Sequence, residues 1–157
     1  MPMWTGEAAQ TGDRVMWEHT LVTKTDVPAA DLWAVAADPR NWPAWRPGVE
    51  AAEYADDAHT VRVRDHGRWS RVAVVEADPP ARLVLGSGRL LARTRTVFAF
   101  TPTAGGTVVR VGVEFGGPLG FLKAAAAGDG EDGRLLTLVR ALVARARQST
   151  EPQPVTG

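Results

Sequence analysis

Apolar and polar residues alternate along most of the chain, and that period of two predicts strands. From Val15 to Thr25, Trp17, His19, Leu21 and Thr23 share one face, while Glu18, Thr20, Val22 and Lys24 share the other. The first set is the expected inward face. Further strands are expected over 49–54, 60–65, 68–77, 82–87, 90–101 and 107–115. In the last of these, Val109, Val111, Val113 and Phe115 oppose Arg110, Gly112 and Glu114. Asp56-Asp57, His66-Gly67, Asp78-Pro79-Pro80 and the loop from Pro102 to Gly106 separate the strands. Strands so closely spaced, joined by short turns, read as an antiparallel meander.

Two stretches break this rhythm. The first, DVPAADLWAVAADPRNWPAWRPGVE from Asp26 to Glu50, reads as two short helices. Pro28 suits a helix start, because the missing N–H has no partner there anyway, and Asp31 suits the positive end of the helix dipole. Asp38-Pro39 restarts the chain as N-cap and first residue of a second helix, which Pro43, Pro47 and Gly48 keep short. The second stretch is Arg134–Gln148, where Leu135, Leu138, Val139, Leu142, Val143 and Ala146 line one helical face. Gly128, Gly130 and Gly133 are expected to bar any helix before it, and residues 119–127 read as a short helix or a mobile lid.

One strand, two short helices, about six strands and one long helix make an α+β chain. A curved seven-stranded antiparallel sheet around the C-terminal helix buries both apolar faces. One helix does not fill the hollow of such a sheet, so an internal cavity suited to a small molecule is expected.

Composition narrows the function classes. The 157 residues suit one domain: a disordered lead over 1–13, a folded domain over 14–148 and a disordered tail over 149–157. With no cysteine, disulfides, thiol nucleophiles and thiolate metal sites are excluded. Acidic and basic residues balance at 18 each, which argues against nucleic acid as a partner. Lys24 and Lys123 are the only lysines, a bias toward arginine that points to a GC-rich bacterial genome. The first residues lack a signal-peptide pattern, and no apolar run is long enough to span a bilayer. The expected location is the cytoplasm, as monomer or homodimer.

The order of elements, together with PAADLWAVAADPRNWPAWRPGV, resembles the START/Bet v1-like superfamily (SRPBCC) with its helix-grip fold. The polyketide cyclase/dehydrase and lipid-transport group is the part it most resembles. Pro28, Leu32-Trp33, Asp38-Pro39, Trp42-Pro43, Trp45, Pro47, Gly48 and the GGPLG from Gly116 carry the likeness. The resemblance implies an internal cavity for a hydrophobic or aromatic ligand. It implies either a cofactor-independent cyclase or dehydratase, or a carrier or sensor of a lipid or isoprenoid. An acyl carrier protein is the macromolecular partner it implies. Aromatic cyclases of the group place a tyrosine just after the second helix and an arginine deeper along the central strand. Val49 and Val75 stand at about those positions here.

Candidate chemistry is sparse. His19, on the expected inward face, is the candidate acid or base, although such a histidine is more often structural. Arg68 and Arg71 lie on opposite faces of one strand, and Arg71 is chosen as the buried arginine that would hold an anionic or enolate oxygen. Trp45, Trp69, Phe98, Phe100 and Phe121 form the expected aromatic wall, with Tyr54 as a hydroxyl for the ligand. Arg62, Arg64, Arg93, Arg95 and Arg110 read as a solvated outer face. His59 and His66 sit at turns without ligand spacing, so neither a metal nor a cofactor is expected.

Overall fold

The structure, a computed structural model, describes residues 17–89, 92–117 and 130–150. Trp4, Phe121, the 119–127 segment, the expected disordered lead and residues 151–157 lie outside the described residues.

In chain order the elements are β1 (Trp17–Thr25), α1 (Ala29–Ala37), a 3-10 turn (Pro39–Asn41), α2 (Trp42–Trp45) and β2 (Val49–Tyr54). Then come β3 (Thr60–Asp65), β4 (Arg68–Asp78), β5 (Arg82–Arg89), β6 (Ala92–Thr103), β7 (Gly106–Gly116) and α3 (Glu131–Thr150). One seven-stranded antiparallel sheet has the order β1-β7-β6-β5-β4-β3-β2. The meander from β2 to β7 is thus closed by β1 pairing with β7, as Leu21 opposite Val111 shows. The sheet curves in a helix-grip arrangement, and α3 packs against α1, β1 and β7.

The helical corner links the two edge strands, and its local chemistry explains its shape. The Asp38 carboxylate accepts from Arg40 N–H at 3.0 Å, capping the 3-10 turn, with Pro39 in the first position. The Trp42 indole donates to Ala36 O at 2.9 Å, tying α2 back to α1. Gly48, at φ +82, turns the chain from α2 into β2, a backbone state that side chains disfavour. Arg145 on α3 donates to Asn41 Oδ1 at 3.2 Å, holding the corner to the long helix.

The core lies in the end of the hollow covered by α1 and the later turns of α3: Leu32, Val35, Trp42, Phe98, Phe100, Val109, Val111 and Leu142 are all buried there. Thr107 is buried with them, its hydroxyl donating to Val27 O at 2.7 Å. Two expectations need correction. Gly133 does not bar the helix: α3 already begins at Glu131, because a glycine in a first turn gives up little that packing has to restore. Ser149 and Thr150 belong to α3 rather than to a disordered tail, and their hydroxyls bond back to Arg145 O and Arg147 O at 3.0 Å.

Candidate functional site

Between the concave face of the sheet and the first turns of α3 lies a cavity of about 990 Å³. Strand alternation chooses its wall. Val63 and Asp65 of β3, Ser70 and Val72 of β4, Ser87 of β5, Thr94 and Thr96 of β6, and Val113 and Phe115 of β7 face into it. Leu135 and Leu138, with Gly130, Gly133, Arg134 and Thr137, close it from the α3 side. Arg46, Pro47 and Val49 form the end below the helical corner. The wall is therefore half apolar, with hydroxyls and three charged side chains set among valines.

Arg46 is the least ordinary of these. It caps α2, its N–H donating to Trp42 O at 2.8 Å. Its guanidinium folds back over the Trp42 ring, with Cζ 4.6 Å from the ring centroid. Nη1 is buried and has no hydrogen-bond partner among the described residues. Burial pulls the Arg46 pKa down to about 10, and the Asp65 carboxylate only partly opposes this. The side chain therefore stays charged at neutral pH. Trp45 Nε1, one residue earlier, is also buried without an acceptor among the described residues.

Several expected site residues lie elsewhere. Trp45 and Phe98 meet edge to face at 5.8 Å, and with Phe100 they belong to the core. Trp45 also borders a shallow open hollow on the outside of the corner, beside Arg46 and His66. Trp69 and Arg71 point away from the cavity, because Ser70 and Val72 between and beyond them point in. Trp69 instead lies on the outer face under the Arg62 guanidinium, at 4.8 Å. Arg68 shares the inward parity and pairs in register with Asp65, but it is exposed at the β3–β4 turn. Tyr54 is exposed at the end of β2 far from Val49. His19 is half-buried opposite Val113, one strand beyond the wall. Val49 does line the cavity, whereas Val75 is exposed.

On the outer face, Arg62 and Arg64 are exposed and pair with Glu53 at 3.3 Å and Glu50 at 3.1 Å. Glu114 is buried there, opposite Glu18 and Arg95 in the register. Desolvation, then the Glu18 carboxylate, pushes its pKa up, against the pull of Arg95 and Arg82. No group of three or more metal-ligating side chains occurs among the described residues, and no described helix is long and apolar enough to cross a membrane.

Comparison with known proteins agrees with this geometry. A family model described as polyketide cyclase / dehydrase and lipid transport matches residues 16–147. Among solved structures, the chain is similar to a START superfamily protein from Mycobacterium smegmatis, with 18% identity, a TM-score of 0.62, and 85% and 99% of the two chains covered. It is similar to norcoclaurine synthase from Thalictrum flavum, solved with dopamine and hydroxybenzaldehyde, with 15% identity, a TM-score of 0.64, and 87% and 89% covered. It is also similar to the di-domain ARO/CYC StfQ from the steffimycin biosynthetic pathway, with 14% identity and a TM-score of 0.66. There the match covers 84% of this chain and 51% of the other, about half of the di-domain protein. These likenesses are of fold. No curated protein matches the sequence.

Proposed function

From the premise that this chain belongs to the polyketide cyclase/dehydrase and lipid-transport family, we propose that it binds a hydrophobic or aromatic small molecule inside the sheet. The observation that carries this is the cavity of about 990 Å³, the upper end of the range of small-molecule sites. Valines and leucines would hold the ligand body, while Ser70, Ser87, Thr94, Thr96 and Thr137 supply hydroxyls that recognise oxygens placed along it. That spread of polar groups suits an oxygenated polyketide-type molecule better than a plain hydrocarbon chain. Acting on such a molecule, the protein would be a cofactor-independent cyclase or dehydratase whose rate gain comes from holding one folded conformer.

The second reading is carriage of a lipid or isoprenoid without chemistry. It is supported by the positions of His19 and Arg71, which were expected to supply acid, base or oxyanion contact but stand outside the wall.

Native mass spectrometry of protein purified from its host, with thermal-shift measurements across aromatic polyketides and lipids, tests the binding. A retained ligand or a shift is expected, and Thr96→Trp, which places an indole in the cavity, should abolish either. No retained ligand and no shift across the panel sinks the reading. Conversion of a bound polyketide separates the cyclase from the carrier.

A further inference from the structure

We infer that the molecule held in this cavity is an apolar monoanion, bearing one carboxylate or enolate oxygen group, and that Arg46 receives that group. The inference rests on the reading above that the cavity holds a small molecule.

A guanidinium taken out of water is ordinarily paired, since an unpaired buried charge is costly. Arg46 lacks that pairing at Nη1, although the atom is buried. The Trp42 ring holds the guanidinium plane from one side and supplies no lone pair to accept its N–H groups. Asp65 shares the cavity wall and its charge acts on Arg46, but it only partly offsets the burial and leaves Nη1 without a hydrogen bond; its Oδ1 lies 3.3 Å from His66 Nε2. An acceptor is therefore missing at a preorganised donor on the cavity wall.

Charge sets the kind of anion. Among the charged side chains of the wall that are described, Arg46 has the buried donor that lacks an acceptor, and Asp65 is the carboxylate. The first turn of α3 also lines the cavity, and a helix N-terminus favours negative charge. One donor group of this kind matches a single carboxylate or enolate, while Asp65 would repel a phosphate dianion. The planar fork of an arginine also fits a carboxylate with two parallel bonds. The apolar wall of Val63, Val72, Val113 and Phe115 takes the rest of the molecule.

Two fluorescent probes of nearly one shape test this: anilinonaphthalenesulfonate, a monoanion, and N-phenylnaphthylamine, its sulfonate-free counterpart. Their affinities are measured for the wild type, Arg46→Met and Asp65→Asn. In Arg46→Met the neutral probe should bind as before, while the preference for the anionic probe falls about tenfold. In Asp65→Asn that preference should rise about threefold, since a repelling charge is gone. An unchanged preference in Arg46→Met overturns the assignment. Should Arg46→Met bind neither probe, Asp65→Asn decides: a rise supports the subsite and no change overturns it. If the wild type itself binds neither probe, the cavity reading fails, and the subsite with it.

Discussion

The Arg46 guanidinium lies over the Trp42 ring, one helical turn behind it, at 4.6 Å from Cζ to centroid. The same short helix thus builds the structural plug and aims a buried cation at the cavity. A cation–π contact contributes roughly 0.5–2 kcal/mol, less than the several kcal/mol it costs to desolvate a guanidinium. Arg46 is therefore a net cost to the empty protein. Arg46→Met should leave its unfolding free energy unchanged or raise it by up to about 2 kcal/mol in urea titrations. A loss greater than about 1 kcal/mol would show that Arg46 is a structural strut.

Glu114 offers a pH test. Its pKa is raised in the fold, by desolvation first and the Glu18 carboxylate second, so the folded protein holds that proton more tightly than the unfolded chain. The ionised carboxylate costs stability at pH 7. The cost is relieved as pH falls through the raised pKa, and is gone below the ordinary value of 4.5. Glu114→Gln should raise Tm at pH 7 by about 1–4 °C, with the gain shrinking toward pH 4. A gain that is constant across this range would contradict the assigned cause.

Thr107 joins the start of β7 to the entry of α1 through a buried hydroxyl bond to Val27 O. Thr107→Val keeps the shape and leaves that carbonyl unpaired. Chemical denaturation should show a loss of about 1–3 kcal/mol. Thr107→Ser, which keeps the hydroxyl, should lose less.

Two aromatics proposed from sequence as ligand contacts should now part company. Phe98 is fully buried against Trp45, and Phe98→Ala should cost about 3–5 kcal/mol. Trp69 is 46% exposed beneath Arg62, and Trp69→Ala should cost less than about 1 kcal/mol and leave binding of a neutral cavity probe unchanged.

The architecture was legible because each element is a local pattern. Alternation over Thr107–Phe115 placed Val109, Val111 and Val113 inward, and the structure buries all three. Proline positions in the corner limited α2 to Trp42–Trp45. The site was less legible. In β4 the run Arg68-Trp69-Ser70-Arg71-Val72 carries no strong period, so either phase was open, and Ser70 with Val72 turned inward. Arg46 was passed over as one residue of the tryptophan- and proline-rich corner. Its signal, a lone cation between Trp45 and Pro47, becomes a site only when β3 and α3 close over it.

By itself the sequence determined where the strands lie, that the corner between the first two is made of short helices, and that a single long helix must cover a wide sheet. These follow from backbone sterics and the burial of apolar faces, which act over a few residues. Tertiary structure alone decided which end of the hollow is packed solid and which stays open, since that depends on how side chains from strands far apart in sequence share one volume. It also decided that Arg46 Nη1 is buried without a hydrogen-bond partner among the described residues, because burial and pairing belong to the closed fold and not to any one segment.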